Sequence, residues 1–151
     1  MRYEFTIPGE PKGKQRPRVT MRNGYAFAYT PDQTVNYENL VKLCYTNIHR
    51  KELCGPIRAD ITAYYSIPKS TSKTKRGLMV VGEIKNVKKP DCDNLAKIVL
   101  DSLNGLAYHD DSQVCELTVK KLYADKPRVV VSLTELNDTQ GENRQNKEQT
   151  Q

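Results

Sequence analysis

The sequence predicts a single α/β domain, α+β in arrangement: a mixed, largely antiparallel sheet with two main helices packed on it. Three observations carry this. Segments 2–8, 57–67, 114–123 and 128–136 read as strands, the first two with clear apolar alternation. Segments 30–51 and 94–104 repeat apolar residues at helical spacing. A chain of 151 residues is the length of one domain with a real core. That domain is assigned to residues 1–136, and 137–151 to a disordered polar tail.

In order along the chain, Tyr3, Phe5 and Ile7 alternate with Arg2, Glu4 and Thr6, so the first strand has one inward side. A turn-rich break at 9–13 leads into Lys12-Gly-Lys-Gln-Arg-Pro-Arg18. The next stretch, 19–29, reads as a hairpin around Arg22-Asn23-Gly24, because Asn-Gly between β-forming runs favours a tight turn. Tyr25, Phe27 and Tyr29 are assigned to strand packing in preference to stacking on bases. Thr30 is the expected N-cap and Pro31 the first residue of a helix ending near Lys51. Its inner face is assigned to Val35, Leu40, Leu43 and Ile48, joined by Tyr37, Val41 and Cys44. Ile57, Ala59, Ile61, Ala63 and Tyr65 share one face of the clearest strand. Ser70-Thr-Ser72 can cap a short helix through Met79 that Gly82 ends, inside a segment expected to be a mobile flap. Leu95, Ile98, Val99 and Leu103 line one side of the second main helix, with Gly105 at its C-terminal cap. The last two strands, joined through Asp125-Lys126-Pro127, are expected to be antiparallel neighbours. After Asn137 no apolar residue follows, the composition of a disordered tail.

The net charge of +6 points to an anionic partner, most often nucleic acid. Residues 12–22 hold five Lys or Arg and no acid; residues 68–89 hold seven against one, Glu83. No apolar run approaches the roughly 20 residues of a membrane span. The opening Met-Arg-Tyr-Glu-Phe alternates like a strand and lacks the apolar core of a signal peptide. Cys44, Cys54, Cys92 and Cys115 lack zinc-ribbon spacing and read as free buried thiols in a reducing cytoplasm, with Cys92 turned into the core. His49 and His109 are too few for a metal site and are assigned surface roles.

Within this basic chain, acids bracket the second main helix. Asp91 and Asp93 precede it, and Asp110 and Asp111 follow it. Asp93, Lys97 and Asp101 are spaced i, i+4, i+8 and share a stripe. Taken alone, the stripe is explained by an Asp cap on the helix and an ordinary Asp93–Lys97 ion pair. The second acidic pair favours another reading. If the chain folds back, carboxylates from both clusters face one point, and a hard divalent cation, Mg²⁺ or Mn²⁺, is what lets them coexist. Leu95 and Ala96 stand where an EF-hand needs a ligand and a glycine. Phosphodiester hydrolysis is the chemistry that such a site and two basic segments suit.

Lys89-Pro-Asp-Cys-Asp-Asn-Leu-Ala-Lys97, followed by Asp101, Asn104-Gly105 and Tyr108-x-Asp-Asp-Ser-Gln-Val114, resembles the signature of RusA-type Holliday junction resolvases. Lys14-Gln-Arg-Pro-Arg18 and Tyr29-Thr-Pro31 extend the resemblance, which covers most of the chain to about Leu136. It implies a homodimeric, Mg²⁺-dependent endodeoxyribonuclease, with Mn²⁺ able to substitute, of a kind commonly encoded by phages and prophages. It further implies that Asp91, Asp93 and Asp111 are catalytic, metal-binding acids and that Lys97 is the essential lysine. The substrate class it implies is branched DNA, four-way junctions above all, with cutting expected in recombination and repair on the nucleoid DNA of the cytoplasm. The expected phosphate contacts are Lys14, Arg16, Arg18, Lys69, Lys73, Lys75, Arg76, Lys88 and Lys89. A non-catalytic branched-DNA-binding module remains the first alternative, and a nuclease of flaps or replication forks the second. A nucleotide-sugar transferase using Asp91-x-Asp93 is disfavoured by the basic loops.

Overall fold

The computed structural model describes residues 1–48 and 51–137. The expected tail at 138–151 and His49 therefore lie outside the described residues. The strands are β1 (Arg2–Pro8), β2 (Arg18–Arg22), β3 (Tyr25–Tyr29), β4 (Ile57–Ser66), β5 (Val114–Ala124) and β6 (Arg128–Glu135). The helices are α1 (Asp32–Ile48), α2 (Lys73–Val80) and α3 (Cys92–Ser102), with a 3₁₀ turn at Asp111–Gln113. The domain is α+β, with a mixed four-stranded sheet in the order β1-β6-β4-β5 and a separate β2-β3 ribbon.

Alternation decides which face of the sheet is covered. Ile57, Ala59, Ile61, Ala63 and Tyr65 of β4 are buried, as are Phe5 and Ile7 of β1 and Val129, Val131 and Leu133 of β6. Helices α1 and α3 close this face, α3 contributing Leu95, Ile98, Val99 and Leu103. The T-shaped pair Phe5–Tyr45, with centroids 5.5 Å apart, joins α1 to β1. Ile98→Ala should lower unfolding stability by about 2–5 kcal/mol in a denaturant titration, since it opens a cavity at a fully buried site.

Several expectations are corrected. β5 and β6 are not neighbours: β4 lies between them, parallel to β5 and antiparallel to β6. The chain between β4 and β5 carries α2 and α3, and such a helical crossover returns the strand in parallel. The short 125–127 link then only has to step across β4, roughly 9.6 Å, two strand spacings. On α1 the buried stripe is Thr34, Tyr37, Val41 and Tyr45, while Val35, Leu43 and Ile48 are exposed. The i, i+3, i+7, i+11 row wins because two tyrosines bury more area than the aliphatic row. Helix α1 begins at Asp32 rather than Pro31, and α3 at Cys92 rather than Asn94. Cys92, Cys54 and Cys115 are exposed and Cys44 half-buried, all free thiols. Cys92 faces solvent because Leu95, Ala96, Ile98 and Val99 occupy the inner side of its helix. The segment expected to be a flap is anchored: Ser72 caps α2, Met79 and Ile84 pack on the core, and Arg76 pairs with Asp125 at 3.1 Å.

The ribbon departs most from expectation. Asn23 (φ 52°) and Gly24 (φ 79°) form its turn as the Asn-Gly signal predicts. Yet every residue of both strands is exposed, so among the described residues Tyr25, Phe27 and Tyr29 pack on no core.

Candidate nuclease site

The polar side of α3 is where the basic loop before β2 lies down. Gly13 lets the loop approach closely: a Cβ there would stand 2.6 Å from Asn94 Nδ2 and 2.7 Å from Pro90 Cβ. The Lys14 backbone N–H donates to Asn94 Oδ1 at 3.0 Å, and its ammonium reaches Asp101 Oδ2 at 2.7 Å. That hydrogen bond, together with the charge of Asp101, raises the Lys14 pKa against the lowering effect of burial. Gln15 N–H donates to Thr34 Oγ1 of α1 at 3.1 Å, so the loop bridges both main helices. The Tyr65 hydroxyl donates to the Pro90 carbonyl at 2.9 Å and fixes the approach to α3; the Lys89–Pro90 peptide is cis.

Between loop and helix opens a cleft of about 920 Å³, lined by the 11–17 loop, Gln33, Thr34, Lys89, Pro90, Asp91, Asp93, Asn94 and Lys97. Asp91 occupies the N-cap position of α3, but its side chain makes no capping hydrogen bond. Lys97 is exposed, and among the described residues it forms no ion pair, with Asp93 or any other acid. The cap and the Asp93–Lys97 pair that would have explained these residues structurally are both missing.

The second acidic pair divides. Asp110 is a cap: its carboxylate accepts from Ser112 N–H at 3.3 Å, and Gln113 Oε1 accepts from the Asp110 N–H at 3.2 Å in return. The Ser112 hydrogen bonds hold its pKa below the ordinary carboxylate range, and nearby His109 lowers it slightly further. Asp111 is oriented by its N–H, which donates to Asn104 Oδ1 at 2.8 Å. Its carboxyl is pushed above the usual range by burial first, then by the charges of Asp110 and Asp101.

The structure thus brings Asp91, Asp93 and Lys97 to one cleft and sets Asp111 beside Asp101. Among the described residues no three His, Cys, Asp or Glu gather at one point. The convergence expected from the sequence is partial: the two pairs stand towards opposite ends of the α3 stripe. In donor chemistry the carboxylates suit a hard divalent cation, and bound near the crowded Asp111 such an ion would relieve repulsion there. Of the expected phosphate contacts, Arg16 and Lys89 line the cleft beside Lys14. Arg18 is on β2, Lys69, Lys73, Lys75 and Lys88 are exposed, and Arg76 is occupied by Asp125. The seat of the Gly13–Lys14 loop on Asn94 and Asp101 is not legible in the sequence, because the Lys14 contacts to them span 80 and 87 positions of the chain.

A family model described as Endodeoxyribonuclease RusA matches residues 8–134. The chain is 39% identical over 138 residues to a Bacillus subtilis (strain 168) protein named "Uncharacterized protein YqaN", covering 89% of this chain and 96% of that one. It is 27% identical over 146 residues to the "Crossover junction endodeoxyribonuclease rusA" of Lactococcus phage r1t, covering 89% of this chain and 97% of the relative.

Proposed function

The chain belongs to the RusA endodeoxyribonuclease family, and on that premise we propose that it is a Mg²⁺-dependent endonuclease that resolves four-way DNA junctions by paired, symmetric cuts. The observation that carries this reading is the cleft in which uncapped Asp91, Asp93 and unpaired Lys97 face a loop of cations. Asp91, Asp93 and Asp111 are the acids assigned to metal binding, Asp91 and Asp93 at the cleft and Asp111 beside Asp101 towards the other end of the α3 stripe, with Mn²⁺ able to replace Mg²⁺. When bound, the ion supplies an activated water and neutralises charge at the leaving oxygen.

The chain's own groups do the rest. Lys97 stabilises negative charge that develops on phosphorus. Lys14, held on Asp101, and Arg16 and Lys89 at the cleft wall fix the phosphates around the scissile bond. The exposed lysines of the α2 segment dock a DNA arm, and symmetric cutting calls for a two-fold homodimer. Action in recombination and repair on cytoplasmic DNA follows from the substrate; no helix among the described residues is long and apolar enough to cross a membrane.

Labelled four-way junctions, flaps, forks and plain duplex, each with and without Mg²⁺, test the specificity. Fastest cutting of the four-way junction is expected, and a preference for flaps or forks would reassign the substrate. Binding should be steeply salt-dependent, the affinity falling about 10³-fold or more between 50 and 200 mM salt if six or more phosphates are neutralised. A flat dependence would remove the basic segments from the interface.

A further inference from the structure

Among the described residues the β2–β3 arm pairs only with itself, and its ten strand residues are all exposed. Tyr25 is 72%, Phe27 51% and Tyr29 46% exposed, large apolar areas for a protein to leave uncovered. Register sorts the two sides. Residues directly opposite in an antiparallel pair project the same way, and sides alternate along the strand. Arg18↔Tyr29, Thr20↔Phe27 and Arg22↔Tyr25 therefore share one face, whereas Val19↔Ala28 and Met21↔Ala26 share the other. One side of the ribbon is three aromatic rings with an arginine at each end.

We propose that this arginine-and-ring face is a stacking platform for unpaired DNA bases, separate from the cutting cleft and serving it. The proposal rests on the branched-DNA reading above and names a feature of the substrate: bases with open π-faces, as at a branch point or gap. Ring faces stack on bases without regard to sequence, and guanidinium groups beside them hold the adjoining phosphates. Charge favours this occupant over a second copy of the chain. No acid occurs between Glu10 and Asp32, so the arm is wholly cationic in a protein of net charge +6. Position favours it too: Arg16 and Pro17 line the cleft, and Arg18 begins β2. A strand seated in the cleft is thus led directly onto the arm, where Thr20, Arg22, Phe27 and Tyr29 line a shallow groove.

The test compares wild type with Phe27→Val, Tyr25→Val and Phe27→Trp, binding gapped DNA, a four-way junction carrying 2-aminopurine at its centre, and intact duplex, all without divalent ions. Valine keeps strand propensity but removes the π-face, and tryptophan restores it. Each valine variant should bind gapped and branched DNA about tenfold more weakly, with duplex binding and the salt slope unchanged. Quenching of 2-aminopurine should be lost with valine and kept with tryptophan. Equal binding by wild type and valine variants, or no binding of gapped DNA by wild type, would overturn the proposal. So would a valine variant that changes sedimentation from dimer to monomer, since the rings would then be covered by a second copy. Because binding is read without metal, failure to cut in Mg²⁺ would count against the nuclease reading and leave this result standing.

Discussion

Asp93→Asn should abolish detectable strand cutting while leaving junction affinity the same or slightly higher. The side chain is exposed in the first turn of α3, so the near-isosteric change disturbs no packing. What it removes is a negative charge from a cleft whose other wall is cationic. Phosphate contacts survive, and binding with them. Cutting should fall by at least about 10²–10³-fold, the scale of losing one preorganised electrostatic contact to a transition state. Asp91→Asn and Asp111→Asn should behave likewise, read in parallel by gel shift and by product formation. Residual cutting near the wild-type rate in any of the three would remove that acid from the catalytic set.

The second large effect is expected far from any carboxylate. Gly13→Ala would drive a methyl group against Asn94 and Pro90, and neither can yield freely: Asn94 is engaged by Lys14 N–H, and Pro90 is fixed through Tyr65. The loop must lift from α3, taking Lys14 away from Asp101. A displacement near 1 Å in a positioning element costs cutting about 10²-fold, whereas strain of this kind lowers stability by only about 1–3 kcal/mol. The Lys14–Asp101 pair is about three-quarters buried, so Lys14→Met should also cost activity, but less, because the backbone bond to Asn94 survives. Thermal unfolding of Gly13→Ala beside its cutting rate separates the two effects. An alanine variant with full activity would mean that the loop's seat on α3 does not matter to cleavage.

How far these features are legible before folding depends on how local their causes are. The buried face of β4 follows residue by residue from alternation, and Asn23-Gly24 specifies its turn, because both are written in neighbouring residues. Strand order is not local. The three-residue link before β6 looks like a hairpin, but the helices between β4 and β5 bring β5 back parallel and leave β6 the opposite edge of β4. The strand–helix–strand alternation at 57–67, 94–104 and 114–123 carries that signal. On α1, Val35, Leu43 and Ile48 suggest the core by hydrophobicity, yet the tyrosines take it. Asp91, Asp93 and Lys97 line a single cleft, while Asp111 stands with Asp101, a partner that only the folded chain reveals.

The most direct measurement maps the products of an end-labelled synthetic four-way junction incubated with the wild-type chain in Mg²⁺ and in chelator. Nicks at symmetry-related positions on two opposed strands, present only with the metal, are the predicted result. A junction that is bound tightly yet left intact in Mg²⁺ and in Mn²⁺ would contradict the account and make the cleft a binding surface.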